Sequence, residues 1–359
     1  MARYWTAPRV DDEVDLEGNP NEGNPNNIDP KAWRTSRIDM DYEGNAWVIN
    51  TGADQDRYDG DNLVGSIVRV QSDPFGSTNN NHDVPMDFGE DEAIQVFQVG
   101  AANDVPRVII VDENESIWVG FHEGSYFQKY EYDNNNESLS EVGSKIESSS
   151  YDFAPYDAKM DKNGIIWFTS RNRGDEGVYS FDPSDSTIEI ERHAAFTPYG
   201  MFIDNDREIV WVTDYSDELH EFSFSNPDNP TTHTINGADE LRGLALDIND
   251  NLWLASSNTD QVIQFLPDVN GGEIGKIYET EHVRPVGIGI GPLGFMWVVM
   301  RDDTNFRTPN DPAGGFIEKF NPLEPERKDA PHHDVIQVGK LPYAYGNYTA
   351  AFKLCDQDQ

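Results

Sequence analysis

Cysteine is almost absent from this chain: among 359 residues there is one, Cys355, near the end. A single thiol excludes a disulfide framework and a cysteine-based metal centre. No window approaches the roughly 18 consecutive apolar residues of a membrane-spanning helix. The opening segment Met1–Val10 holds Arg3, Trp5 and Arg9 and lacks the apolar stretch of a signal peptide. Basic residues are scarce, 26 Lys and Arg against 66 Asp and Glu, for a formal net charge of −40. Nucleic acid and anionic membranes repel such a chain, so neither a nucleic-acid partner nor membrane insertion is expected. Molar salt shortens the Debye length to about 3 Å and silences this self-repulsion, which points to a high-salt environment. An acidic secreted protein that binds many divalent cations is the alternative. Also missing are a Gly-rich phosphate loop leading into a helix, a Gly-x-Ser-x-Gly elbow and a His-Glu-x-x-His pair.

What is present is a core-sized stock of apolar residues, 37% of the chain with 8 Trp, 15 Tyr and 18 Phe, arranged in a repeat. Six copies read SRIDMDYEGNAWVIN from Ser36, PRVIIVDENESIWVGF from Pro106, PYDAKMDKNGIIWFTS from Pro155, PYGMFIDNDREIVWVTD from Pro198, LRGLALDINDNLWLAS from Leu241 and PVGIGIGPLGFMWVVM from Pro285. Each runs from an apolar strand through a turn to a strand with a tryptophan: Trp47, Trp118, Trp167, Trp211, Trp253 and Trp297. From Asp41, Asp112, Asp161, Asp247 or Gly291 to its Trp the step is six, and from Asp204 it is seven. The aspartates suit β-turns, where Asp tolerates left-handed backbone and caps its own chain. The tryptophans read as a packing layer between neighbouring sheets. Third and fourth strands follow each copy, and four short strands per unit is the size of a propeller blade.

The expected fold is therefore an all-β, seven-bladed β-propeller, with six blades as the alternative. Closure is assigned to a seventh blade built from LPYAYGNYTAAFKL at Leu341 and an outer strand in the N-terminal ARYWTAPRV. One propeller domain would occupy residues 1–359, with residues 11–30 as a surface loop and residues 53–62 and 72–87 as loop insertions in the first blade.

The copies, above all PYGMFIDNDREIVWVTD at Pro198, resemble the streptogramin lyase (virginiamycin B lyase) family, and NHL-type propellers are similar. The resemblance spans roughly Ser36 to Leu354. It implies a catalytic imidazole directly after the Pro that opens an inner strand, and an acidic partner with a magnesium ion four residues past the Trp. The first set of positions holds Ser36, Arg107, Tyr156, Tyr199, Arg242, Val286 and Tyr343, with no His; the second holds Thr51, His122, Arg171, Tyr215, Ser257 and Arg301, with no Glu. Elimination needs a base and a Lewis acid, so the lyase residues are not in place.

In propellers these two sets converge on one mouth. Arg107, His122, Tyr156, Arg171, Tyr199, Tyr215, Arg242, Arg301 and Tyr343 are accordingly the candidate ligand-binding residues. Arginine forks suit carboxylate, sulfate or phosphate, and tyrosine faces suit sugars. The competing account is that the arginines pair with the abundant carboxylates and the tyrosines fill the channel. Asp54, Asp56, Asp59 and Asp61 form an alternating acidic run that could hold a Ca or Mg ion, although the full calcium-loop spacing is absent. His332, His333 and Asp334 read as surface residues.

These features together suggest a non-catalytic binding propeller, with a protein, glycan or anionic ligand as partner and no required cofactor. An extracellular, cell-surface or virion location in high salt is favoured. The alternative is a metal-dependent lyase or lactonase-like hydrolase with its active site in the channel, for which Asp39 and Asp157 are the inward-facing acidic candidates.

Overall fold

The computed structural model describes residues 35–51, 64–71, 94–185, 187–291, 293–301, 315–323, 333–339 and 345–346. The proposed insertions 53–62 and 72–87, the loop 11–30, the N-terminal closing strand, Asp54, Asp56, Asp59, Asp61, His332 and Tyr343 lie outside the described residues.

The chain divides into two compact units, Met1–Ile146 and Glu147–Gln359. The first holds blade one, β1 (Thr35–Met40), β2 (Ala46–Asn50), β3 (Gly65–Val70) and β4 (Ile94–Val99), and blade two, β5 (Pro106–Val111), β6 (Ile117–Phe121), β7 (Tyr126–Asp133) and β8 (Ser138–Ile146). The second unit begins with blade three, β9 (Pro155–Met160), β10 (Ile166–Ser170), β11 (Gly177–Phe181) and β12 (Glu191–Ala194). Blade four is β13 (Pro198–Asp204), β14 (Ile209–Asp214), β15 (Glu218–Ser223) and β16 (Thr231–Thr234). Blade five is β17 (Leu241–Leu246), β18 (Leu252–Ser256), β19 (Gln261–Leu266) and β20 (Glu273–Glu279). Blade six is β21 (Pro285–Ile290), β22 (Met296–Arg301), β23 (Gly315–Phe320) and β24 (Asp334–Gly339). Every blade is an antiparallel meander, and within the second unit β9, β13, β17 and β21 pack in succession.

This is an all-β propeller, but with six blades rather than the expected seven. Each Trp-bearing copy supplies the four consecutive strands of one blade. From the C-terminal half-copy, the described residues hold one two-residue strand, β25 (Tyr345–Gly346).

The constant step from turn Asp to Trp has a physical cause that turn chemistry alone does not supply. In four blades the indole N–H donates to the aspartate Oδ2: Trp47 to Asp41 at 2.9 Å, Trp118 to Asp112 at 3.0 Å, Trp167 to Asp161 at 2.9 Å and Trp253 to Asp247 at 2.8 Å. The other oxygen, Oδ1, accepts the backbone N–H four residues on, from Asn45, Ser116, Ile165 and Asn251. One carboxylate thus closes the turn and satisfies a buried indole. Where the step is seven the lock opens: Asp204 takes Arg207 Nη1 at 2.8 Å, and the buried indole N–H of Trp211 has no hydrogen-bond partner among the described residues. Where Gly291 replaces Asp, Trp297 is only half-buried and borders a cavity of about 230 Å³ lined by Gly291, Trp297, Val299 and Ile317.

The scarce cations have a structural duty beside these rings. Opposite the tryptophans, on the third strands, Arg69 lies 5.6 Å from the Trp47 ring, Lys129 5.7 Å from Trp118 and Lys319 5.4 Å from Trp297. In blades three and four a fourth-strand imidazole takes that place, His193 at 5.2 Å from Trp167 and His233 at 6.0 Å from Trp211.

Asp39 and Asp157, the inward carboxylates that a metal-hydrolase account requires, are engaged as ties between consecutive inner strands. Asp39 Oδ2 accepts the Val111 N–H at 2.9 Å, and Asp157 Oδ2 accepts the Met201 N–H at 3.2 Å, each from the next blade. Both side chains are buried. Glycine at the third inner-strand position completes the packing. A Cβ on Gly200 would stand 2.3 Å from the Arg242 carbonyl oxygen, and one on Gly243 2.8 Å from that of Val286.

Candidate functional site

The two sequence sets meet through the backbone in five blades. The amide four residues past the Trp donates to the carbonyl of the residue that precedes the inner strand: His122 to Val105, Arg171 to Ala154, Tyr215 to Thr197, Ser257 to Glu240 and Arg301 to Arg284. Inner-strand starts and second-strand ends therefore share one end of each blade.

Five of the nine candidates converge in the second unit. The Tyr156 and Tyr199 rings lie 5.2 Å apart edge-on, and Tyr199 stacks on Tyr215 at 5.5 Å with 16° between planes. The Arg171 guanidinium sits 4.2 Å from the Tyr215 ring, 4.4 Å from Tyr199 and 5.4 Å from Tyr156. Arg242 donates to both the Tyr199 and Tyr215 hydroxyls at 3.2 Å. Arg301 ends β22 and is tied to this end through the Arg284 carbonyl. Arg107 and His122 belong to the first unit; His122 is buried with Nδ1 2.8 Å from Glu123 Oε1.

Two members of the cluster escape a motif-based reading. Glu240 Oε2 accepts from Arg242 at 2.9 Å and lies 3.5 Å from Arg284 Nη2. Both residues stand immediately before an inner strand, where the chain must turn sharply, with φ of 52° for Glu240 and 59° for Arg284. Non-glycine residues occupy that region at a cost of roughly 1 kcal/mol or more. The same position in blade two, Val105, has φ 53°, whereas Ala154 and Thr197 in blades three and four do not take this conformation, so the turn recurs in three blades and charged residues at it are the signal the sequence offers.

Electrostatics fix the protonation states. Burial pushes the Glu240 carboxyl up, but Arg242, Tyr215 and Arg284 outweigh it and hold the group below its ordinary value. Burial, reinforced by Glu240 and opposed by Arg242, raises the Tyr215 phenol, so this hydroxyl keeps its proton at neutral pH. A carboxyl depressed in the folded state contributes stability above its unfolded value near 4.5 that is lost as pH falls through the folded value. Glu240→Gln is expected to flatten the stability profile below about pH 4.5, as measured by denaturant midpoints across an acid series.

The magnesium ion implied by the family resemblance does not fit this donor set. Arg242 and Arg284 both engage the Glu240 carboxylate, and the Arg171 guanidinium lies over the neighbouring Tyr215 ring. Magnesium and calcium take oxygen ligands and net negative charge.

Two other polar constellations are structural. Ser180 Oγ lies 2.8 Å from His193 Nε2, and His193 Nδ1 lies 2.9 Å from Asp228, the order of a nucleophile, base and acid. The next blade repeats the pair as Glu221 with His233 at 2.9 Å; Ser180 and Glu221 both stand opposite the blade Trp. A position that accepts either Ser or a carboxylate is polar packing beneath the tryptophan. Glu281, Glu318 and His333 also lie within metal-ligating distance. Glu318 is fully buried, however, and takes the Tyr278 hydroxyl, His333 Nε2 at 2.8 Å and the Glu281 amide at 3.1 Å. Burial, then Glu318, drives the Tyr278 phenol far up, which keeps it a donor. The His333 side chain, expected at the surface, is only 6% exposed, its ring turned inward to Glu318, while the residue as a whole is half-buried.

Residues 108–285 match the family model described as SMP-30/Gluconolactonase/LRE-like region. No curated protein sequence matches at a significant level. Among solved structures, a catalytically inactive virginiamycin B lyase from Staphylococcus aureus with quinupristin superposes with a TM-score of 0.57 at 15% identity, covering 86% of this chain and 84% of that one. A streptogramin B lyase gives 0.58 at 16% identity, over 87% and 86%. A periplasmic gluconolactonase from Pseudomonas aeruginosa gives 0.57 at 13% identity, over 86% of each chain. The chain is thus a β-propeller with the fold of the streptogramin B lyases and gluconolactonases, and its match to the SMP-30/Gluconolactonase/LRE-like region lies in residues 108–285.

Proposed function

We propose that this propeller is a lactonase-type enzyme that opens an ester or lactone bearing an acidic group, at the end of blades four to six where Tyr215, Glu240, Arg242 and Arg284 meet. The likeness to lyase and lactonase propellers favours catalysis over the docking module expected from composition. The observation that carries the reading is the gathering of Arg171, Arg242 and Arg284 about Tyr199, Tyr215 and Glu240 on a chain of net charge −40 with few basic residues. Tyr215 is 36% exposed and the Arg284 side chain 31%, so these two are what a ligand reaches, with Arg171 and Arg242 behind them.

Cleavage of an ester builds negative charge on the carbonyl oxygen, and preorganised donors in a partly dry site lower that barrier. The Arg284 and Arg242 forks supply such donors, and the protonated Tyr215 hydroxyl can donate to the departing oxygen. Glu240, held ionised by its arginines, is a weak base. That favours attack by water on the carbonyl over abstraction of a carbon-bound proton.

Aldonolactones followed by pH-stat and quinupristin followed by mass spectrometry test the reading. Turnover of a lactone is expected, with Arg284→Ala lowering kcat/KM roughly 100-fold and Tyr215→Phe lowering kcat more than it raises KM. No turnover of either substrate class, or turnover indifferent to Arg284→Ala, would return the protein to the binding-module reading.

A further inference from the structure

We propose that Asp214, Glu218 and His220 in blade four bind one divalent transition-metal ion of the zinc type. The three side chains offer ligand atoms that all lie within 4.8 Å of one another. Asp214 ends β14, Glu218 opens β15, and His220 follows on the same strand, so a single tight hairpin presents all three.

The decisive feature is the imidazole. Its side chain is 8% exposed, and Nε2 is buried with no hydrogen-bond partner among the described residues. That nitrogen points between Asp214 Oδ2 at 3.9 Å and Glu218 Oε2 at 3.7 Å. Both distances exceed a hydrogen bond. The other nitrogen, Nδ1, lies 3.0 Å from Thr232 Oγ1, and the ring stacks on Phe196 at 4.0 Å, so its orientation is fixed from two sides.

Each tautomer leaves a problem that a cation resolves. If Nδ1–H donates to Thr232, the Nε2 lone pair faces two carboxylates across a gap. If Thr232 donates to Nδ1, the Nε2–H ends in that gap without an acceptor in reach. A metal ion accepts the lone pair and neutralises both carboxylates together. Thr232 would then fix the metal-binding tautomer, as outer partners of ligating histidines do.

Imidazole with carboxylates selects a first-row transition ion over calcium or magnesium. Zinc bonds of about 2.0–2.2 Å in a tetrahedral site need ligand atoms roughly 3.3 Å apart. Glu218, whose side chain is 42% exposed, has the freedom to close the remainder. The Ser216 hydroxyl, inside the same hairpin, donates to Asp214 Oδ1 and orients that carboxylate. The residue after Asp214 is Tyr215, so a bound ion would stiffen the chain that carries the tyrosine stack.

The test uses the whole chain, stripped with chelator and titrated with Zn²⁺ by calorimetry in 1 M NaCl, where weak binding to the acidic surface is screened. One stoichiometric site and a rise in Tm are expected. Glu218→Gln, on a half-exposed side chain, is expected to weaken that site at least tenfold, and His220→Ala to abolish it. Co²⁺ is expected to give visible bands of nitrogen and oxygen ligation that vanish with His220→Ala. Absence of a stoichiometric step in the wild type overturns the proposal. So does a step that survives Glu218→Gln unchanged, or equal stabilisation by Ca²⁺ in all variants. Should His220→Ala fail to fold, Glu218→Gln alone decides.

Discussion

Asp161→Ala is expected to destabilise the protein by about 3–5 kcal/mol, because one carboxylate serves three buried or half-buried donors at once. Its Oδ2 takes the Trp167 indole N–H at 2.9 Å, and its Oδ1 takes the amides of Asn163 at 2.8 Å and Ile165 at 3.0 Å. Removing the acceptor leaves the desolvation cost of each donor uncompensated, roughly 1–3 kcal/mol apiece and less than additive. Asp161→Asn keeps one oxygen for the turn but presents N–H₂ or a single shared oxygen to the indole, so an intermediate loss is expected. The blades supply an internal control. Trp253→Phe discards a 2.8 Å bond to Asp247, whereas Trp211→Phe discards an N–H that has no acceptor among the described residues. Both rings are fully buried and leave similar voids, so Trp211→Phe should be milder by about 1–2 kcal/mol. Equal losses in urea midpoints would show that the Asp–Trp bond contributes nothing net.

Gly200→Ala is expected to cost about 3 kcal/mol and to disable the tyrosine–arginine cluster as well. The added Cβ would stand 2.3 Å from the Arg242 carbonyl oxygen and 3.1 Å from Leu244 Cδ2, and the obstacle is backbone of the next blade rather than a movable side chain. The same carbonyl accepts the Thr213 hydroxyl at 2.6 Å, and Thr213 Oγ1 in turn accepts the Gly200 amide at 3.0 Å. A methyl group inserted here pushes β17 away from β13 and carries Arg242 off the Tyr199 and Tyr215 hydroxyls. Denaturant midpoints report the first effect, and the lactonase assay or anion binding reports the second. A variant with native stability would mean that the inner strands tolerate a wider spacing than their contacts imply.

Much of the fold was legible because the repeat writes it several times. An apolar inner strand, a turn and a Trp strand recur with a fixed step, and each copy supplies the four strands of one blade. The count of blades was not legible. A partial copy such as LPYAYGNYTAAFKL has the right periodicity, but periodicity cannot say whether a segment gathers enough strands to make a blade of its own, and the six complete copies account for every described blade. The site was legible in part for the same reason. Equivalent positions in successive blades must lie at the same end, which is why Tyr156, Arg171, Tyr199, Tyr215 and Arg242 could be grouped from spacing alone. Glu240 and Arg284 sit one residue outside the motif, and only the left-handed turns before β17 and β21 bring them into the group.

Sequence by itself determined the chemistry of each blade: which residue packs, which turns, and where the few cations fall. Tertiary structure decided what those residues do for one another. Asp39 and Asp157 became ties between inner strands, Arg69, Lys129 and Lys319 became covers for tryptophans, and His220 was left facing two carboxylates. The division has a simple origin. Strand and turn preferences act over a few residues and are written locally, whereas the partner of a buried charge is set by which strands the sheets bring together, at separations from a few residues to 72 along the chain.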